Sequence, residues 1–205
     1  MSSSRQVVII DSGGANLASV GYAFARLDVD AIVTADADRI RSADHVVLPG
    51  VGNASAIMNR LNDHDLVSVI RSLQCPVLGV CLGMQLLFEW SAEGGTTGVG
   101  LIPGRIEALT ARDDLPVPHM GWNTISPRSD DPLLEGLRRD DWFYFVHSFA
   151  APLSSDHTLA STQYGSEFTS IARYTNFWGV QFHPERSGKS GARLLSNFLK
   201  LKSCD

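Results

Sequence analysis

Hydrophobic positions fall in short runs divided by glycine-rich turns, and the runs alternate between strand and helix character. Val7, Val8, Ile9 and Ile10 form a β-branched run that ends at Asp11-Ser12-Gly13-Gly14. Leu17, Val20, Phe24 and Leu27 then recur at helical spacing behind Asn16, a residue type that caps helices. Residues 31–34 predict a second strand, and Val46-Val47-Leu48 before Pro49-Gly50-Val51-Gly52 predicts a third that ends in a glycine loop. A helix is expected over about 54–73, a strand over 76–80, and a further helix from Leu82 through Gln85, Leu86 and Glu89 to about 92. This strand-helix alternation implies a parallel sheet covered on both faces.

Beyond the 94–98 loop the pattern becomes strand-like, at 105–109, 122–125, 142–149, 158–164 and 170–174, and suggests an added, mostly antiparallel section. Residues 179–183 predict one more strand ending at Pro184, and about 189–201 a closing helix. No internal repeat, low-complexity tract or linker interrupts the chain.

Composition narrows the class. At 205 residues a single domain spanning 1–205 is expected, since chains divide mainly beyond roughly 250 residues. The hydrophobic share of 44% and charged share of 19% are those of an ordinary globular protein. A net charge of -5 gives no basic footprint for nucleic acid, so the expected partner is a small molecule or another protein. The opening apolar run is too short for a signal core or a membrane span. Cysteines occur at 75, 81 and 204 without Cys-x-x-Cys spacing, which argues against a disulfide framework and a structural zinc site and fits a cytoplasmic setting. No metal or other cofactor is expected.

Candidate chemistry centres on Gly79-Val80-Cys81-Leu82-Gly83, a Gly-x-Cys-x-Gly turn between an apolar strand and a helix. This is the cysteine form of a nucleophile elbow, in which a sharp turn lifts the side chain above the sheet. The helix start beyond Cys81 favours a thiolate, and its N–H groups can stabilise an oxyanion. A small buried thiol is the alternative, and for Cys75 and Cys204 it is the reading adopted.

A nucleophilic cysteine needs a base and an orienting group. Phe182-His183-Pro184-Glu185 supplies both at the carboxyl end of a strand, the edge where the Cys81 turn also lies. Pro184 bends the chain so that Glu185 can return to the imidazole. His45, His64 and His157 are read as surface or packing residues.

Pro-Gly-Val-Gly at 49–52, Gly-Val-Cys-Leu-Gly-Met-Gln at 79–85 and Gln-Phe-His-Pro-Glu at 181–185, in this order, resemble the class I glutamine amidotransferases over nearly the whole chain. The resemblance implies an α/β flavodoxin-like fold, a central mostly parallel sheet flanked by helices with a smaller antiparallel section. It implies hydrolysis of the side-chain amide of L-glutamine to glutamate and ammonia through a glutamyl thioester. Cys81 would be the nucleophile, His183 the general acid and base, and Glu185 its partner. Backbone N–H groups at Val51, Gly52 and Leu82 would form the oxyanion hole, and Gln85 would help hold substrate. Without the family, Gln85 reads as a solvated helix residue.

Within that family, Val-Pro-His-Met-Gly-Trp-Asn at 117–123, Phe-Val-His-Ser-Phe at 145–149 and 183–188 are similar to glutaminase subunits that pass ammonia to a separate (β/α)8-barrel cyclase in histidine biosynthesis. This likeness implies that His147 lies near the glutamine and that backbone groups of Ser148 and Phe149 grip its amino-acid end. Glu93 would receive the substrate ammonium, or else is an exposed helix-end carboxylate. Asn16, His119, Met120, Trp122, Asn123 and Arg186 would lie at the cyclase interface, with core packing the alternative for Trp122. Arg186 stands where lysine is usual, and the opening turn lacks the common tyrosine. Rival readings are an amidotransferase subunit for anthranilate or pyridoxal phosphate synthesis, a γ-glutamyl hydrolase or cysteine peptidase, and a non-catalytic binding subunit. The 119–123 segment argues against the first and an intact Cys81, His183 and Glu185 against the last.

Overall fold

The computed structural model describes residues 6–13, 16–112, 115–154 and 156–202. In chain order, β1 (Val7–Ile10), α1 (Leu17–Ala25), β2 (Ala31–Thr34), α2 (Ala37–Arg41) and β3 (His45–Gly50) lead to α3 (Ala54–Asp63) and α4 (Leu66–Ser72). Then follow β4 (Val77–Cys81), α5 (Leu82–Leu87), β5 (Phe88–Ser91), β6 (Thr96–Thr97), β7 (Ile102–Ala108), β8 (His119–Thr124) and β9 (Ser126–Pro127). The chain closes with β10 (Trp142–His147), β11 (Phe149–Ala150), β12 (Thr158–Tyr164), β13 (Ser166–Tyr174), β14 (Phe177–Val180) and α6 (Gly188–Phe198).

Eight strands form one sheet in the order β2-β1-β3-β4-β14-β13-β12-β9. The first five run parallel, and β13, β12 and β9 extend the sheet antiparallel. Side chains alternate across it. Val8, Ile10, Val46 and Leu48 pack with α2, α3 and α4 residues, while Val7, Ile9, Val47, Leu78 and Val80 pack with Phe24 of α1 and Leu194 and Phe198 of α6. Both faces are thus covered, as the continuous apolar strands predict.

The antiparallel section is not one unit. Besides the sheet extension, β8 and β10 form a separate hairpin-like pair, and β11-β7-β5-β6 forms a third sheet. Several expected features also change. The single helix over 54–73 divides at His64 and Asp65, where Asp65 takes a left-handed conformation (φ 53°) that ends regular α geometry. The helix expected to reach 92 stops at Leu87, because the N–H groups of Val99, Leu101 and Gly100 bond the carbonyls of Leu86, Leu87 and Phe88 and draw 88–91 into a sheet with β7. Asn16 does not cap α1 with its side chain; it sits at φ 83° and its amide is engaged elsewhere. The final strand stops at Val180, before His183, and a short helix at 37–41 stands where no element was expected.

Candidate active site

β4 ends at Cys81, whose backbone (φ 53°, ψ -112°) is a conformation that non-glycine residues seldom adopt, and α5 starts at the next residue. Such a strained turn persists only where the surroundings hold it, and it occurs where a side chain must be presented. The flanking glycines explain how. A Cβ on Gly79 would lie 2.8 Å from the Gly83 carbonyl oxygen and Met84 backbone, and one on Gly83 would lie 1.8 Å from the Leu48 carbonyl oxygen. β4, α5 and β3 therefore meet at backbone contact. α5 has only six residues, so support for developing negative charge comes from its first N–H groups and not from a long dipole.

His183 lies past the end of β14, where its N–H bonds the Tyr144 carbonyl at 2.9 Å and ties it to β10. Pro184–Arg186 form a tight turn that brings Glu185 Oε1 to 2.8 Å from His183 Nδ1. Both side chains are buried. Asn16 Nδ2 donates to the same Glu185 oxygen, so the start of α1 fixes the carboxylate that fixes the imidazole. Burial disfavours the imidazolium, but hydrogen bonding and charge from Cys81 and Glu185 outweigh it and raise His183 to about 10. His183 Nε2 is buried, and both hydrogen bonding and charge from Cys81 act on the ring, the hydrogen bond more strongly. His183 lines the cavity beside Cys81, where it can engage a reactant.

A cavity of about 340 Å³ is lined by Val51, Gly52, Cys81, Leu82, Gln85, Glu93, Pro118, Val146, His147, Ser148, Phe149 and His183. It therefore gathers every residue expected at the oxyanion hole and substrate site, together with Cys81 and His183. Gln85 is buried, not solvated: its Nε2 donates to the Phe149 carbonyl at 2.8 Å and to Gln181 Oε1 at 3.0 Å. Glu93 is half-buried in a short turn beyond the helix, accepts from the Ala54 N–H at 3.1 Å, and is raised by burial against that bond. The alternative of an exposed helix-end carboxylate fails because α5 stops at Leu87 and Glu93 is half-buried. The Phe149 carbonyl accepts from Gln85 Nε2 and His147 Nδ1, which occupies both lone pairs, so a grip on substrate by this segment falls to its N–H groups.

Gln181, Pro118 and Val146 lie within the quoted motifs but were given no role from the sequence. Gln181 Nε2 and the Val146 carbonyl each lie 3.8 Å from Cys81 Sγ. The cue for Gln181 was its place at the head of the Gln-Phe-His-Pro-Glu motif, two residues before His183.

The residues expected at a protein interface divide. Met120 and Trp122 are 62% and 54% exposed, which excludes core packing for Trp122, and Arg186 is exposed with its guanidinium over the Tyr144 ring. Trp122 meets Tyr144 edge-on. His119, by contrast, is buried at 3% exposure, because strand alternation turns it inward between two outward neighbours. Asn123 is half-buried and donates to the Gln163 carbonyl, and Asn16 is half-buried on Glu185. These three are engaged inside the molecule.

Cys75 is partly buried and its thiol is raised to about 11 by burial, consistent with an unreactive role, while Cys204 lies outside the described residues. His45 is a packing residue, buried edge-on against Phe198. Among the described residues no group of three or more His, Cys, Asp and Glu is placed to hold a metal ion, and no helix is long and apolar enough to cross a membrane.

Residues 8–201 match the sequence profile of the family described as glutamine amidotransferase class-I. An imidazole glycerol phosphate synthase subunit HisH of Idiomarina loihiensis is 50% identical over 199 residues, covering 97% of this chain and 99% of that protein. The subunit HisH 1 of Vibrio vulnificus is 47% identical over 203 residues, covering 96% and 98%. A solved glutamine amidotransferase superposes with a TM-score of 0.71 at 17% identity, covering 94% of this chain and 97% of that one, a likeness of fold.

Proposed function

This chain belongs to the class I glutamine amidotransferases, and on that premise we propose that it is the glutaminase subunit of an imidazole glycerol phosphate synthase, a one-domain cytoplasmic protein that supplies ammonia to a (β/α)8-barrel cyclase for histidine biosynthesis. The observation that carries the reading is the single cavity around which Cys81, His183, the Val51-Gly52 loop, Leu82 and Gln85 converge.

The chemistry follows from the geometry. Cys81 thiolate attacks the amide carbon of glutamine, and charge moves onto the carbonyl oxygen, where N–H groups of the 51–52 loop and Leu82 receive it. The imidazolium of His183 protonates the departing nitrogen, the C–N bond breaks, and ammonia leaves a glutamyl thioester. His183, now neutral, takes a proton from water as it attacks the thioester, and glutamate and the thiolate are released. An imidazole raised to about 10 is suited to the acid half of this cycle.

The proposed docking face is the outer side of the β8–β10 pair, where exposed Met120, Trp122 and Trp142 and half-buried Tyr144 form an apolar patch beside Arg186. Met120 pairs with Val146, a cavity-lining residue, so this face borders the cavity in which ammonia would be released. Because unshared ammonia is lost to solvent, turnover of the isolated chain is expected to be low and to rise when the cyclase carrying its nucleotide ligand is added. A coupled glutamate assay with and without that partner tests this; equal rates would count against it. Co-purification with an anthranilate or pyridoxal phosphate synthase would redirect the assignment.

Asn16 gives a separate expectation. Asn16→Ala removes the second donor on Glu185 Oε1 and is expected to lower kcat roughly 10- to 100-fold, the scale of a lost hydrogen bond to a charged group, with KM little changed. Steady-state kinetics would show an unchanged kcat if Asn16 served only an interface.

A further inference from the structure

Two buried histidines, one lining the cavity and one behind it, are joined in a chain whose polarity can be worked out. His147 Nδ1 lies 2.9 Å from the Phe149 carbonyl oxygen, and that oxygen can only accept, so Nδ1 carries the proton. A neutral ring has one N–H, so His147 Nε2 accepts. His119 Nδ1 lies 3.0 Å from it and must donate. His119 Nε2 is then the acceptor, and Asn123 Nδ2 lies 3.4 Å away. The orientation of the Asn123 amide is fixed independently, since its Oδ1 accepts from the Thr124 N–H at 2.8 Å and its Nδ2 donates to the Gln163 carbonyl at 3.1 Å.

We propose that His119, acting through His147, is a positioning residue for the glutamine site: the chain Asn123 to His119 to His147 to the Phe149 carbonyl locks both imidazoles as Nδ1–H tautomers and anchors the 147–149 segment. This rests on the glutaminase reading for what the segment holds. The packing around His119 supports it. The ring is stacked between Tyr164 at 3.9 Å and Phe145 at 4.8 Å, which leaves rotation as the only motion the hydrogen bonds must prevent. At the far end the Phe149 carbonyl also takes Gln85 Nε2, and Gln85 bonds Gln181, which reaches Cys81 Sγ. A second proton on either ring would set two N–H groups against each other or against Asn123. Burial agrees, holding His119 neutral to about 4 and His147 to about 3, the latter helped by His119 and His183 and opposed by its bond to Phe149.

The test uses the full chain with 15N-labelled imidazoles. Two-dimensional spectra near pH 7 should show His119 and His147 as neutral Nδ1–H tautomers, assigned by loss of signals in His119→Phe and His147→Gln proteins. An Nε2–H tautomer or a charged ring at either position overturns the chain. His119→Phe keeps a flat ring between Tyr164 and Phe145 but no donor. It should raise KM for glutamine about fivefold to tenfold, with kcat within about twofold, and let the His147 tautomer mix; His119→Gln, which can donate and accept, should recover part of the KM. Unchanged KM, or a loss confined to kcat, overturns the positioning role. Fixed tautomers in a wild-type protein that hydrolyses no glutamine would sink the glutaminase reading and leave the hydrogen-bond chain standing.

Discussion

Cys81→Ala is expected to cut glutamine hydrolysis by roughly 10⁴-fold or more, the scale seen when one member of a cooperating triad is deleted. Cys75 cannot substitute, since it is held protonated by burial and does not line the cavity. Stability should change little. The sulfur's contacts with the Val146 carbonyl and Gln181 Nε2 are long, at 3.8 Å, and alanine accepts the turn no worse than cysteine does. A loss of about 1 kcal/mol corresponds to roughly 2–4 °C in Tm for a chain of this size. A third readout separates chemistry from misfolding. Part of what raises His183 to about 10 comes from Cys81, so in the variant its imidazole should titrate lower, with burial now opposed by Glu185 alone. Substantial remaining turnover in a folded variant would sink the nucleophile assignment, and an unmoved His183 titration would show that Cys81 is not its electrostatic partner.

The elements that position this site were legible because they are extreme in pattern. β1, β3 and β4 are continuous apolar runs buried on both faces, and two glycines around one cysteine leave few structural alternatives. What escaped the sequence is local competition and polar wiring. Phe88 and Trp90 could extend a helical pattern from Leu82, and only the backbone of 98–101, bonding carbonyls 86–89, decides for a strand. His119 was assigned outward along with Met120 and Trp122, although alternation along a strand already sends 119 and 120 to opposite faces. Asn16 looked like a helix cap because the cap position is local, whereas its actual acceptor, Glu185, is 169 residues away. Gln181 stands in the 181–185 motif, but its role is not legible there; that lies in the sulfur beside it.

Gly83→Ala carries the second large expectation, and it acts through the fold. The added methyl would sit 1.8 Å from the Leu48 carbonyl oxygen and 2.8 Å from its carbon, both backbone atoms, so no side chain can swing aside. α5 must move away from β3 by more than an ångström. β3 is the centre of the parallel sheet and leads into the 51–52 loop, while α5 begins with Leu82, so the displacement parts the two halves of the oxyanion site as it opens the core. Overpacking of this kind costs about 3 kcal/mol, which lowers Tm by roughly 6–12 °C here. Turnover should fall by a further 10²-fold or more at temperatures where the protein remains folded, because oxyanion donors act only when aligned to within tenths of an ångström. Cys81 keeps its place at the end of β4, so covalent labelling by a glutamine-analogue electrophile should slow but persist. Thermal unfolding, kcat and labelling rate measured together decide the matter. A variant as stable and active as the parent would mean that β3 and α5 do not meet at backbone contact, and the elbow geometry built on Gly83 would have to be abandoned.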